Sequence, residues 1–481
     1  MKILGISAFY HDSAAAYIEN GVIVAAAQEE RFTRIKHDPA FPAHAVRYCL
    51  SEAGIQLSDL DAIVFYDKPL LKMERLLETY YAFSPKGLYS FLTAIPVWLK
   101  EKMFLKRMLY DELFAIQKFD KKQVKLLFPE HHLSHAASAF YPSPFEDAAI
   151  LTLDGVGEWA TASIGHGKGK QLSILKELKF PHSLGLLYSA FTYFLGFKVN
   201  SGEYKLMGLA PYGRHGSPEV EKYKTLIREV LVKIKPDGSI WLNQDYFNYA
   251  TGLRMIHDAK WEVLFGFPTR ESESNLEQKH CDLGLAIQEI TEEIVILMAQ
   301  EAKRLTGSKA CVLAGGVALN CVANGKLKDA GIFEEVFIQP AAGDAGGALG
   351  AALAAHYIYF GQERIIDSSK MDAMAGSYLG PSYSDKEIEQ MAKQHQAVFT
   401  HHDDFADLSA KTAELIAEGN VIGWFQGRME FGPRALGGRR ILGDPRNPEM
   451  QKKLNLKIKY REGFRPFAPS VLAEDVSEYF E

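Results

Sequence analysis

At 481 residues the chain exceeds one ordinary domain and predicts two or three. Its 47% hydrophobic and 24% charged residues are the composition of a globular protein with a sizeable core. A net charge of -6 and a pI near 6.2 argue against a nucleic-acid protein that works by bulk charge.

The segment Met1 to Ser7 has no signal-peptide apolar region, because His11 and Asp12 interrupt it early. No apolar run approaches the roughly 18 residues that span a bilayer. Leu88 to Leu99 is apolar but short and contains Pro96, which predicts a buried helix. Cys49, Cys281, Cys311 and Cys321 show no CxxC spacing and read as reduced core cysteines of a cytoplasmic protein. No nucleic acid or membrane is expected as a partner, and a homodimer is compatible with the sequence.

Lys2 to Ser7 predicts a strand, His11 to Ala16 a turn, and Tyr17 to Ala27 an apolar run split by Asn20-Gly21, a strong hairpin signal. Val46 to Gly54 carries a helical period ended by glycine, and Ala62 to Tyr66 is a short buried strand. The same grammar returns at Ala149: a strand runs into Asp154-Gly155, and Trp159 to Ile164 returns. A strand, Asp-Gly and a second strand resemble the phosphate-binding hairpins of the actin-like ATPase fold, which contains two duplicated α/β halves. Residues 284 to 304 predict a long helix stopped at Thr306-Gly307. Ala310 to Ala314 and Val336 to Gln339 are strands, each feeding a glycine turn that opens a helix. This alternation argues for α/β sheets with ligands at the strand C-termini. A change to Ser, Gly, Met and Pro over Ser368 to Ser384 places a domain boundary there, giving domains 1-370 and 371-481.

Chemistry concentrates in a few stretches. His131 and His135 stand four apart, so a helix puts both imidazoles on one face, where they can grip one metal ion. An unremarkable histidine pair on a helix is the competing reading. Asp154 and Asp344 each sit at a glycine turn after a buried strand. Asp344 is either an N-cap or a metal ligand, and Asp154 poses the same choice. Together the four would form a mixed N/O site, suited to Fe2+, Mn2+ or Zn2+ better than to Mg2+ or Ca2+. The paired glycines at Gly315-Gly316 and Gly346-Gly347 favour nucleotide binding over tight helix packing, although neither P-loop nor dinucleotide fingerprint occurs. Glu29 to Asp38 mixes charges densely and, taken alone, reads as a solvated face. Gly202 to Gly213 reads as a glycine-punctuated loop with one lysine for a phosphate or sugar. Gly427 to Arg440 carries four arginines among glycines, followed by Lys457, Lys459, Arg461 and Arg465. Such arginines suit a bidentate grip on phosphate or carboxylate, and the aromatic platforms that RNA binding needs are sparse.

Eight stretches together resemble the nodulation-protein U and cephalosporin/tobramycin O-carbamoyltransferase family. They are HDSAAA (from His11), EERFTRIKHD (from Glu29), HHLSHAASAFYPSPF (from His131), LDGVGE (from Leu153), GEYKLMGLAPYG (from Gly202), GGVALN (from Gly315), PAAGDAGGALGAAL (from Pro340) and MEFGPRALGGRRILGDPR (from Met429). The resemblance implies a duplicated actin-like ATPase domain over 1-370, of the kind found in the tRNA threonylcarbamoyl-transferase subunit. Over 371-481 it implies the N-terminal part of a YrdC-like α/β domain, since the family's later Asn-Thr-Ser-x-Asn motif does not occur before Glu481. The implied reaction forms carbamoyl-adenylate from carbamoyl phosphate and ATP, then passes the carbamoyl group to a hydroxyl of a small molecule or sugar. By position, His131, His135, Asp154 and Asp344 match the family's metal ligands, with Fe2+ the expected ion and Mg2+ arriving with ATP. His11 matches a general base. Lys36, Lys205, Gly315, Gly316 and Asn320 match nucleotide or carbamoyl-adenylate contacts. Arg428, Arg434, Lys459 and Arg461 match contacts to carbamoyl phosphate and ATP. The alternatives are an actin-like-fold small-molecule kinase and a non-catalytic nucleotide-binding regulator.

Overall fold

In a computed structural model describing residues 1–367 and 369–480, strand β1 (Lys2–Ser7) is buried from Ile3 onward. Such a run needs a central position covered on both faces. β1 pairs antiparallel with β2 (Ala14–Glu19), which pairs antiparallel with β3 (Val22–Gln28) across a turn where Asn20 and Gly21 both have positive φ. Two primed-turn residues match the right-handed twist of the strands, as the Asn-Gly signal predicts. On its other edge β1 runs parallel to β4 (Ala62–Phe65), and β4 to β5 (Lys125–Leu127). The order is β3-β2-β1-β4-β5.

The second sheet repeats this plan. β6 (Asp147–Leu153), β7 (Ala160–Lys168) and β8 (Gln171–Lys179) form the antiparallel meander. After a small hairpin of β9 (Val232–Ile234) and β10 (Ile240–Leu242) come β11 (Ala310–Ala314) and β12 (Glu335–Ile338), parallel to β6. The order β12-β11-β6-β7-β8 is that of the first sheet read strand for strand. In each half a helix crosses from the meander to the parallel strands, Ala43–Ala53 in one and Gln278–Thr306 in the other. In each half another helix follows the last strand, His131–Phe140 and Asp344–Ala354. This is the duplicated α/β architecture of the actin-like ATPases.

The two equivalent helices pack against each other with almost no space between their backbones. A Cβ on Gly350 would lie 1.7 Å from the Ser134 carbonyl oxygen, and one on Gly5 of β1 1.8 Å from that of Ala348. The small-residue run Asp344–Ala354 is therefore a packing device that brings three elements to one point.

Glu301 ties the crossover helix to β8. Its carboxylate accepts from Arg304 Nε at 2.6 Å and from Lys176 Nζ at 2.6 Å. Those two partners depress its pKa to about 2. A depressed carboxylate contributes stability that is present above its ordinary value and lost as pH falls towards the folded value. We expect the difference in urea midpoint between the protein and Glu301→Gln to be full at pH 6 and to shrink between pH 4.5 and 2.

Met1–Pro381 with Glu430–Arg434 forms one compact unit, and Ser382–Met429 with Ala435–Glu481 a second. Glu430–Arg434 belongs to the first because Phe431 is buried, its N–H donating to Ser377 O at 2.7 Å, while Arg31 donates to Gly432 O at 2.7 Å. The second unit holds the antiparallel pair β13 (Ile422–Phe425) and β14 (Arg439–Leu442) and the helices Asp385–Gln394 and Phe405–Ala417.

Several expectations need correction. Leu88–Met103 is a helix but not a buried one: Leu88, Tyr89 and Leu92 are exposed, while Pro96 and Leu99 lie outside the described side chains. Ser368, where the boundary composition begins, is also outside the described residues. Cys49 and Cys311 are buried, but Cys321 is exposed at the start of its helix. Gly202 to Gly213 is mostly helical, as Glu203–Leu209 followed by a 3-10 turn. Among the described residues no helix is long and apolar enough to cross a membrane.

Candidate metal centre

Both histidines stand on the first turns of His131–Phe140, and Asp344 opens the equivalent helix Asp344–Ala354. Asp154 follows the end of β6. Duplication and tight helix packing thus converge four side chains from three elements. His131 Nε2 lies 2.9 Å from Asp154 Oδ2, 3.0 Å from His135 Nε2 and 3.7 Å from Asp344 Oδ1. His135 Nε2 lies 3.7 Å from Asp154 Oδ2 and 3.8 Å from Asp344 Oδ1. All four ligand atoms fall within 4.8 Å of one another. Metal–ligand bonds of about 2.1 Å place neighbouring ligand atoms roughly 3–3.5 Å apart, so the cluster has the size of one coordination shell.

The electrostatics fit a cation as well. Burial, then the adjacent His135 ring, holds His131 well below its ordinary value, so its imidazole is neutral, the form that ligates. Burial opposes the Asp154 charge, but hydrogen bonds from His131 and His135 keep that carboxylate ionised. Asp344 is pushed the other way, by burial and by the Asp154 charge beside it. Two carboxylates crowd a dry site where both ionise freely only beside a compensating cation. The N-cap position is Gly343 and Asp344 is the first helical residue, so Asp344 is not the N-cap. Both helices point their positive N-terminal ends here, which suits an anion next to the cation.

Supporting groups surround the four. Gly316 N–H donates to Asp154 Oδ1 at 3.1 Å, and Tyr66 OH to Asp344 Oδ2 at 3.3 Å. Glu158 accepts the His131 N–H at 3.0 Å and caps that helix. Lys72 is buried against Asp67 with its ammonium over the Tyr66 ring. Tyr66 ends a predicted strand and Glu158 lies in the LDGVGE stretch, so position hinted at both. Nothing in the sequence marks Lys72.

His11 Nε2 reaches to 3.8 Å of Asp344 Oδ2, and its Nδ1 is 2.9 Å from Asp12 Oδ2. Burial pulls its pKa down, but the Asp344 charge and the Asp12 hydrogen bond win and raise it to about 9. The Glu29 to Asp38 segment is no solvated face. Buried Glu29 accepts from His44 N, His44 Nδ1 and Ala45 N, capping the Ala43–Ala53 helix. Buried Asp38 accepts from Thr33 and Ala40, and His37 Nδ1 lies 2.8 Å from Asp12 Oδ1. Among the described residues Asp12, Glu30 and His37 make a second cluster of metal-ligating type, but there the carboxylates already pair with His37 and Arg31.

The remaining predicted residues divide. Lys36 is exposed, 2.6 Å from Tyr204 OH, and Lys205 lies over the Phe197 ring. Gly315 N–H donates to Ala342 O at 2.8 Å. Asn320 is buried, caps the Cys321–Asp329 helix through Ala323 N, and exchanges amide hydrogen bonds with Gln288 at 3.0 and 3.1 Å. Its side chain is thereby committed to the fold. Arg434 is exposed on the first unit, while Arg428, Lys459 and Arg461 belong to the second. Partial burial and the charges of Arg461 and Arg465 hold Lys459 below its ordinary value, a gathering of like charge that favours an anion.

The family model described as carbamoyltransferase N-terminus matches residues 2–353, and that described as carbamoyltransferase C-terminus matches 413–481. An uncharacterized protein of Synechocystis sp. is 58% identical over all of this chain and 77% of its own length. Nodulation protein NolNO of Sinorhizobium fredii is 39% identical over 98% of this chain and 64% of its own length. Nodulation protein NolO of Bradyrhizobium diazoefficiens is 37% identical over 73% of this chain and 60% of its own, so the chain spans under two thirds of both nodulation proteins. With both family models matching and relatives this similar over nearly the whole chain, the chain belongs to the carbamoyltransferase family.

Proposed function

We propose that the first unit is the transfer centre of an ATP-dependent O-carbamoyltransferase. Water cleaves carbamoyl phosphate to carbamate and phosphate, carbamate displaces pyrophosphate from ATP to give carbamoyl-adenylate, and an acceptor hydroxyl takes the carbamoyl group, releasing AMP and a proton. The observation that carries this reading is the convergence of His131, His135, Asp154 and Asp344 in a chain of this family.

These four residues would hold a divalent ion, Fe2+ ahead of Mn2+ or Zn2+, with Mg2+ entering on ATP. When bound, such an ion supplies Lewis-acid polarisation of a phosphate oxygen. The chain supplies the rest. The two helix N-termini offer N–H groups to the nucleotide phosphate, and Gly316 orients Asp154. Lys36 and Lys205 would face carbamoyl-adenylate. Arg428, Lys459 and Arg461 of the second, YrdC-like unit would bind carbamoyl phosphate and ATP, and Arg434 is an anion-binding candidate of the first unit. His11, oriented by Asp12, would take the acceptor hydroxyl proton on Nε2 once the Asp344 charge that now holds it protonated is compensated.

Supplying ATP, carbamoyl phosphate and a panel of hydroxyl acceptors tests this. Pyrophosphate release that requires carbamoyl phosphate is expected. Phosphoryl transfer without carbamoyl phosphate would make the protein a kinase, and ATP binding without turnover a regulator. His11→Asn should lower transfer by about 10²–10⁴-fold and leave pyrophosphate release in place.

A further inference from the structure

A cavity of about 660 Å³ opens in the first unit, between residues 193–199, 249–255 and 269–272. Nothing above assigns it a role. Its walls combine the rings of Tyr193, Phe197 and Tyr249 with Lys198, Arg254 and Arg270, and the Asp258 carboxylate accepts from Arg254 and Thr269 behind that wall. Arg270 is structural: it donates to Leu195 O at 2.8 Å and stacks over Phe197. Arg254 is exposed and engages Asp258 through NH1 at 2.8 Å. Lys198 is exposed and has no ion-pair partner among the described residues.

Two chains of contact lead from this cavity to the metal centre. Tyr249 packs on Phe180 with ring centroids 6.1 Å apart, Arg75 lies over Phe180, and Arg75 donates to Gly157 O at 2.6 Å. Gly157 in turn touches His131, since a Cβ there would sit 3.0 Å from the imidazole. On the other side, Lys198 and Val199 run into Asn200, whose side chain approaches the Tyr10 hydroxyl; the Tyr10 ring lies against His11 at 4.5 Å. The cavity wall thus connects to His131 through Phe180, Arg75 and Gly157, and to His11 through Asn200 and Tyr10. Its volume suits a drug-sized molecule, far more than a carbamoyl group needs.

Resting on the transferase reading, we propose that this cavity binds the body of the carbamoyl acceptor, and that the acceptor pairs an aromatic or apolar portion with an anionic group such as a phosphate. The rings take the apolar portion, while Lys198, together with the Arg254 N–H groups that Asp258 does not occupy, takes the anion. The acceptor hydroxyl is then presented past Tyr10 towards His11.

The test is calorimetric binding of two matched probes to the intact protein, 2-nitrophenyl β-galactoside and its 6-phosphate, with no turnover needed. The phosphorylated probe should bind at least about tenfold more tightly, the effect of roughly one charge-assisted contact. Lys198→Glu/Arg254→Glu, both at exposed positions, should abolish that advantage and leave the neutral probe unchanged. Binding should survive excess ATP and the His131→Ala/His135→Ala substitutions. Equal affinity for both probes, no binding of either, displacement by ATP, or an advantage lost with the histidines and kept in the Lys198/Arg254 variant would each overturn the proposal. Carbamoyl transfer is followed separately, so its absence with probe binding intact would count against the reaction and not against the pocket.

Discussion

Replacing His131 and His135 together by alanine is expected to take bound divalent metal from near one ion per chain to a trace, and carbamoyl transfer with it. Two of four protein ligands are removed, and loss of a mere supporting partner already costs about 10–100-fold in metal affinity. The intervening His132 provides the control. It is equally buried, but its Nδ1 lies 2.6 Å from Thr152 Oγ1 and it is no member of the cluster. His132→Asn should keep the metal while losing about 1–3 kcal/mol of stability from a broken buried hydrogen bond. Elemental analysis beside urea unfolding separates the two outcomes. Metal retained by the double variant would remove the centre from the account.

The second large effect is expected at Gly350. Alanine there would place its Cβ 1.7 Å from the Ser134 carbonyl oxygen and 2.9 Å from Ser138 Cβ. The obstacle is backbone, so no rotamer change relieves it, and the helices His131–Phe140 and Asp344–Ala354 must move apart. Ordinary overpacking costs about 1–3 kcal/mol, and Gly350→Ala should lie at or above the top of that range. Because those helices carry His131, His135 and Asp344, metal affinity should fall with stability. Gly325→Ala, inside the Cys321–Asp329 helix with open space around it, should instead stabilise by about 0.5–1 kcal/mol. Thermal melts of both variants check the pair.

Much of the fold was legible because its signals are local. The Asn20-Gly21 turn, the apolar strands and the glycine stops at Gly54 and Gly307 need only a few neighbouring residues to act. The second copy of the strand–Asp-Gly–strand grammar announced the duplication, and with it a place where equivalent helices meet. The i, i+4 spacing put His131 and His135 on one helix face, and Asp154 and Asp344 stood out as carboxylates at glycine turns.

What stayed hidden depends on partners far along the chain. Glu29 looked solvated because its partners, His44 and the start of a later helix, are 15 residues away. The hydrogen bonds that tie the Asn320 amide into the fold were hidden because Gln288 is 32 residues distant. Periodicity identified a helix at Leu88 but could not say that Leu88, Tyr89 and Leu92 stay exposed. The cavity beside Tyr249 is built from three separate loops, and no motif records their meeting.

His131, His135, Asp154 and Asp344 are proposed to hold one divalent ion. An anomalous difference map, recorded at the iron edge from crystals of the protein soaked in ferrous salt, tests it most directly. One strong peak is expected about 2.0–2.2 Å from Nε2 of both histidines and from a carboxylate oxygen of each aspartate. A map with no peak there, or with its peak at Asp12, Glu30 and His37 instead, would contradict it.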